Sequence, residues 1–221
     1  MSFRVIDTET CGFNGGVVEI ASVDVVEGVI TQPMSDLVCP DREISPQAMA
    51  VHQITEEMVE GKPRIAVAVR RYQGHPYYVA HNAAFDRAML PEMNGQWICT
   101  VKLAREVFPG QPSYSLQNLR HSLNLDTHPP AHLHPHRALY DCYVTASLLI
   151  RIQEESGLST EEMLAIAERP TLLRTLKFGK YRGQKISEIA SQDPGYLRWM
   201  LREVSSLSAD MKYSLNYFLD K

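Results

Sequence analysis

The sequence predicts an α/β protein, a mixed sheet with helices packed on it, followed by a small basic C-terminal module. Three observations carry that class. The first third reads as strands with period-2 alternation, in the order of an antiparallel meander. After it, short apolar runs alternate with helical patterns, as where a sheet is covered by helices. Beyond Pro170 the charge changes sign. Residues 171–221 hold nine Lys and Arg against five Asp and Glu, a balance of +4, which leaves −8 on the rest of a chain whose net charge is −4. An acidic body suited to cations is thereby joined to a tail suited to phosphates.

Taken in order, residues 2–8 read as a first strand, "GVVEIASVDVVEG" as a second and "ITQPMSDLVCP" as a third, edge-like one. "SPQAMAVHQIT" opens with a Ser cap and a first-turn Pro and reads as a short helix. "TEEMVEGKPRIAVAVRRYQG" is interrupted by Gly61 and Pro63, so helix, loop and helix are expected. "PYYVAHN" is a buried strand followed by the helix "AAFDRAMLPEM", and "WICTVKLAREVFP" is strand then helix. Leu116, Leu119 and Leu123 have helical spacing, "THPPAHLHPH" is a loop, and "RALYDCYVTASLLIRIQEESG" is a long amphipathic helix closed by Gly157. The expected division is residues 1–157, a connecting segment at 158–170 ended by Pro170, and a module at 171–221 that begins with a short basic hairpin, "LKFGKYRGQKISEI". Trp199 and Leu201 are expected in the core of that module.

At 44% hydrophobic and 22% charged, 221 residues suffice to bury a core. No apolar run approaches the ~20 residues a bilayer span needs, and no basic stretch leads into an apolar one at the N-terminus, so neither membrane nor signal peptide is expected. Cys11, Cys39, Cys99 and Cys142 are scattered without a CxxC pair and read as reduced thiols of a cytoplasmic protein.

The chemistry starts at "VIDTETCGF", where an apolar strand runs into Asp7 and Glu9. Alternate residues of a strand share a face, so two anions would repel unless a cation sits between them. Asp86 follows another buried strand, and Asp141 lies inside the apolar run "ALYDCYVTASLLI", where a buried charge needs a partner. If the strands end side by side, Asp7, Glu9, Asp86 and Asp141 form a four-carboxylate nest. Such hard oxygen donors suit two Mg²⁺ or Mn²⁺ ions, which clamp a phosphodiester, and a neutral His136 beside them could take a proton from water. His128, His132, His134 and His136 lie in a Pro-broken loop with no Cys among them, a poor match to a zinc site.

"VIDTETCGF", "VAHNAAFDRAML" and "HRALYDCYVTASLL" resemble the three motifs of the DEDDh family of 3′→5′ exonucleases, in order and in spacing, over roughly residues 3–150. The resemblance implies an RNase H-like fold, metal binding by Asp7, Glu9, Asp86 and Asp141, and a general base at His136. "AMAVHQIT" is similar to a further family segment near the terminal nucleotide, with Gln53 where Gly is usual, and Cys11 stands in place of Thr in the first motif. The implied activity is two-metal-ion release of nucleoside 5′-monophosphates from DNA 3′ ends, single-stranded or at duplex ends, in repair or recombination. Thr8, Phe13, His52, Asn82 and Phe85 are the expected contacts to the terminal nucleotides. Lys180 and Arg182 are the expected contacts to phosphate, with Lys177 and Lys185 beside them, and the module could also meet repair proteins. The competing readings are an exoribonuclease, a polymerase-associated proofreading subunit, and a non-catalytic nucleic-acid-binding module. The last would be marked by a missing carboxylate or His, and none is missing.

Overall fold

The strand Ser2–Thr10 (β1) lies at the middle of the sheet, and its alternation decides the rest. In the computed structural model, which describes residues 1–12 and 15–220, two compact units are formed, Met1–Ala167 and Glu168–Lys221. Among the described residues, the first unit holds one five-stranded sheet of order β3-β2-β1-β4-β5. β2 (Val17–Val26) pairs antiparallel with β1 and with β3 (Val29–Leu37), while β4 (Tyr77–Ala80) and β5 (Gln96–Cys99) run parallel to β1. The meander and its edge strand match the expectation. Pro33, which cannot donate to a ladder, falls on that edge strand.

Successive residues of β1 enter different cores. Phe3 and Val5 pack on one face with Val23, Val25 and the long helix, whereas Ile6 packs with Ile20, Tyr72 and Tyr78 on the other. β2 is buried along nearly its whole length, so its polar residues need partners inside the protein. Asp24 accepts two bonds from Arg4, its cross-strand neighbour, at 2.7 and 2.8 Å.

The helices of this unit are α1 (Pro46–His52), α2 (Glu56–Val59), α3 (Ile65–Ala68), α4 (Ala83–Met89), α5 (Thr100–Val107), α6 (Leu116–Ser122), α7 (Ala138–Ser156) and α8 (Thr160–Glu168). α7 presents Ala138, Cys142 and Ala146, one residue every four, as a fully buried stripe in the Phe3–Val5 core. Small side chains there let the helix lie close to the sheet. It ends at Gly157 with φ 65, the left-handed cap expected from sequence. α8 lies in the segment expected as a connector, and its Met163 and Ile166 are buried in the same core.

The second unit comprises α9 (Ile186–Gln192), α10 (Pro194–Glu203) and α11 (Ala209–Leu219) around Leu176, Ile186, Leu197, Met200, Met211 and Leu215. The expected hairpin is reduced to one bridge, Thr175 to Lys185, supported by main-chain bonds from Leu176 to Gln184 and from Gly183 to Leu176. The intervening run is too rich in exposed Lys, Arg and Gly to extend a ladder. Leu201 is half-buried, but Trp199 is 45% exposed and not a core residue. On α10, Leu197 and Met200 form the inner stripe, and the 100° step per residue turns Trp199 away from it.

Gln53 caps α1 with φ 59 and ψ 21, a left-handed conformation that disfavours any side chain with a Cβ. That explains why Gly is usual at this place in the resembling segment. Gln53→Gly should therefore stabilise the first unit by about 1 kcal/mol. Urea unfolding checks this, and a destabilised variant would show that the Gln side chain does more than tolerate the strain.

Candidate active site

Asp7 and Glu9 occupy the face of β1 that carries Phe3 and Val5, where the strand outruns its apolar neighbours. Asp141 comes from the first turn of α7, and the close approach of that helix delivers it to the strand end. The structure brings one carboxylate oxygen each of Asp7, Glu9 and Asp141 within 4.8 Å of one another. Asp86, from α4, is not in that group of three. It is 3% exposed and accepts a 2.9 Å bond from the Thr8 hydroxyl, which points to the other face of β1. The expected nest is thus three grouped carboxylates with Asp86 beside them.

The charge is poorly tolerated. Burial, with Asp86, Asp141 and Glu9 nearby, pushes Asp7 well above the usual carboxylate range. Burial and the Asp141 and Glu19 charges carry Glu9 up to about 9. Burial lifts Asp86 to about 7, even with the Thr8 hydroxyl opposing it. Asp141 rises to about 6 through burial, restrained by His136 and by Gln117, whose Nε2 donates to Oδ1 at 2.9 Å. An all-oxygen cluster that resists ionising when empty of countercharge fits a hard divalent cation.

His136 is exposed and lies just outside α7, with φ 68, strained for a residue other than Gly. Two contacts fix this junction. The main-chain N–H of His136 bonds towards the Asp141 carboxylate. Arg137, the next residue, donates Nε and Nη2 to Glu19 at 3.0 and 2.6 Å, and Glu19 also accepts the Ala138 N–H at 2.9 Å. Glu19 faces Glu9 across the β1–β2 pair and is 1% exposed. Sequence reasoning missed Glu19, Arg137 and Gln117. Glu19 looked like an ordinary polar position in an alternating strand, and only its two-residue step from Val17 on a strand buried on both faces could have flagged it.

The remaining expected contacts divide. Asn82 is exposed at the start of α4 with φ 72, and Phe85 is half-buried one turn later. His52 is buried: its Nδ1 accepts the Ile54 N–H at 3.0 Å, so Nε2 donates to the Thr10 carbonyl at 3.2 Å. Both ring nitrogens are therefore engaged by main chain, and burial lowers its pKa. Phe13 lies outside the described residues. In the second unit Arg182 is exposed, while the Lys180 ammonium bonds Asp193 at 3.3 Å and lies 4.6 Å from the Tyr181 ring centre.

The sheet order, the helix packed across it and the grouped carboxylates are those of an RNase H-like exonuclease fold, and the chain belongs to the exonuclease family. A family profile described as Exonuclease matches residues 5–149, and one described as Exodeoxyribonuclease X-like C-terminal matches residues 176–205. The chain is 55% identical to Exodeoxyribonuclease 10 of Escherichia coli (strain K12) over 98% of both chains. It is 32% identical to the DNA polymerase III subunit epsilon of Aquifex aeolicus (strain VF5), covering 70% of this chain and 81% of that one. A solved structure of Exonuclease X in complex with 5′ overhanging duplex DNA superposes with a TM-score of 0.73 and 58% identity, covering 75% of this chain and 99% of that one.

Two outcomes follow from the charges. The folded pKa values of Glu9, Asp86 and Asp141 lie above their ordinary values, so the folded state binds more protons than the unfolded one. This contribution to stability is complete below about pH 4 and is lost as pH rises through about 6, 7 and 9. Melting of the metal-free protein should shift down from pH 5 to pH 9, and Asp7→Asn should raise the melting temperature at pH 8. A metal-free parent whose melting is flat or rises over that range would contradict the strained cluster. Separately, Arg137→Met leaves Glu19 buried and unpaired and should cost about 3 kcal/mol or more. Glu19→Gln with Arg137→Met should recover most of that loss in urea unfolding, and additive losses would refute the coupling.

Proposed function

We propose that this chain is a divalent-metal-dependent 3′→5′ exodeoxyribonuclease, acting in DNA repair or recombination, that releases nucleoside 5′-monophosphates from DNA 3′ ends. The observation that carries the reading is the grouping of Asp7, Glu9 and Asp141 oxygens within 4.8 Å, beside the strained loop that holds His136. Asp7, Glu9, Asp141 and, beside them, Asp86 would hold two Mg²⁺ or Mn²⁺ ions. When bound, these ions supply Lewis acidity to the scissile phosphate and countercharge to the leaving oxygen. Gln117 fixes the orientation of Asp141 and Thr8 that of Asp86. His136, accessible and unburdened by internal packing, takes the proton of the attacking water. Asn82 and Phe85 lie at the start of the helix that carries Asp86, and the reading assigns them, with Phe13, to the terminal nucleotide.

DNA as the substrate is supported by the whole-length similarity to an exodeoxyribonuclease and by the DNA complex of Exonuclease X. That chain is matched at 99% by 75% of this one, close to the share that Met1–Ala167 makes up. The reading therefore assigns DNA cleavage to the first unit, with the basic second unit, Arg182 included, as an accessory grip on substrate.

The deciding experiment compares 5′-labelled and 3′-labelled DNA and RNA oligomers with Mg²⁺, Mn²⁺ or EDTA. A ladder from 5′-labelled DNA, mononucleotides from 3′-labelled DNA and silence in EDTA are expected. RNA degraded as fast as DNA would move the assignment to an exoribonuclease. In the same assay His136→Ala should lose about 10²- to 10⁴-fold in kcat, the size of a general-base contribution, with little change in the metal concentration for half-activity. Full activity in that variant would remove His136 from the chemistry.

A further inference from the structure

The second unit carries an aromatic stack that cleavage leaves unused. Tyr196 and Trp199, about one turn apart on α10, have ring centroids 5.7 Å apart and planes inclined by 28°. Tyr181 meets Tyr196 edge-on at 5.1 Å. Tyr196 is pinned in place. Its hydroxyl accepts the Lys180 N–H at 3.1 Å, and Gly179, with φ 76, sits so near that a Cβ there would collide with it. Asp193 ties the cluster together: Oδ1 accepts the Tyr196 N–H at 3.1 Å, and Oδ2 accepts the Tyr181 hydroxyl at 2.8 Å and the Lys180 ammonium at 3.3 Å. Lys180 is thereby part of the scaffold of this stack.

The stack ends in the open. Trp199 is 45% exposed even though Tyr196 stacks against it. Phe178, next to Gly179, is 42% exposed as well. Lys177, Arg182, Arg198 and Arg202 are all exposed on this small unit, with Arg198 adjacent to Trp199 in sequence and Arg202 about one turn on, on α10. A braced pair of rings whose outer member is partly exposed, on a unit rich in exposed cations, complements a ligand that is both planar and anionic. Nucleic acid has that composition, and an unpaired strand offers base faces that a duplex keeps stacked inside.

We propose that Trp199, backed by Tyr196, is a base-stacking site for single-stranded DNA, with Lys177, Arg182 and Arg198 taking the adjoining phosphates. The choice of DNA rests on the function proposed above; the stacking site itself rests on the ring geometry and charge of the second unit. A protein partner on the same face is the competing occupant, and the test separates the two.

The chain contains two Trp, of which Trp97 is 7% exposed, so intrinsic fluorescence reports on Trp199. The full-length protein in EDTA, where cleavage is silent, is titrated with a 15-residue oligothymidylate. Saturable quenching is expected, lost in Trp199→Phe, which keeps a ring for stacking and should bind within a few-fold of the parent by fluorescence anisotropy of labelled DNA. Trp199→Ala should bind roughly 5- to 150-fold more weakly. Absence of quenching, or equal affinity in Trp199→Ala, would overturn the proposal and leave the face to a protein. Cleavage without quenching sinks this site alone. Quenching by a protein that cleaves nothing with any metal sinks the exonuclease proposal and leaves the stacking site standing.

Discussion

Four carboxylates buried around the end of one strand set the terms for the first unit. Alternation on β1 makes Asp7 and Glu9 neighbours, antiparallel pairing puts Glu19 opposite Glu9, and α7 adds Asp141. Burial raises the pKa of Asp7, Glu9 and Asp141, and repulsion from neighbouring carboxylates adds to it at Asp7 and Glu9. The protein neutralises the deepest of these charges itself, by binding Glu19 to Arg137, and leaves the outer three grouped and short of positive charge. That division separates an anion paired within the protein from three that the proposed function assigns to metal. Both kinds lie on one face of the sheet, and what distinguishes them is the reach of one guanidinium.

The same guanidinium links charge to chemistry. Arg137 is the residue after His136, so anchoring it on β2 anchors the loop that carries the proposed base. Its main chain also accepts from Asp141, which in turn meets the His136 N–H. The unusual φ of His136 is therefore held from both sides, by Glu19 through Arg137 and by Asp141 directly. A strained residue persists where its surroundings over-determine it, and here they consist of two acids of the same cluster. The small stripe Ala138, Cys142 and Ala146 is the packing side of this arrangement. Bulkier residues would lift α7 off the sheet and take Asp141 and the His136 loop with it.

Much of this was legible in the sequence because it is local. Period-2 and period-3.6 patterns gave the strands, their order along the chain and the long helix, and the acids stood out because each interrupts an apolar run. What could not be read depends on pairing across sequence distance. Glu19 finds its partner 118 residues away, so in the sequence it is one more polar residue in an alternating strand. The strand is in fact buried on both faces, and its acids are satisfied by Arg4 and Arg137. His52 carries no local sign that both its nitrogens serve main chain. Trp199 was misplaced for a related reason. Hydrophobicity favours the interior, and with Leu197, Met200 and Leu201 around it only the helical phase shows that Trp199 faces out.

The two units handle charge in opposite ways, and this bears on how one chain can serve one polyanion. The first concentrates anions at one point, and on the proposed reading it depends on metal countercharge to admit a phosphodiester there. The second spreads cations over a surface, and it uses one of them, Lys180, to brace aromatic rings rather than to meet solvent. Phosphate contacts of the ordinary kind weaken steeply with salt, whereas ring stacking does not. A surface that combines the two can keep hold of a strand at ionic strengths where a purely basic patch would release it. The segregation of +4 from −8 along the sequence is thus more than a compensation of net charge: acids are gathered to a point in the first unit, and the bases belong to a unit that also carries a partly exposed aromatic stack.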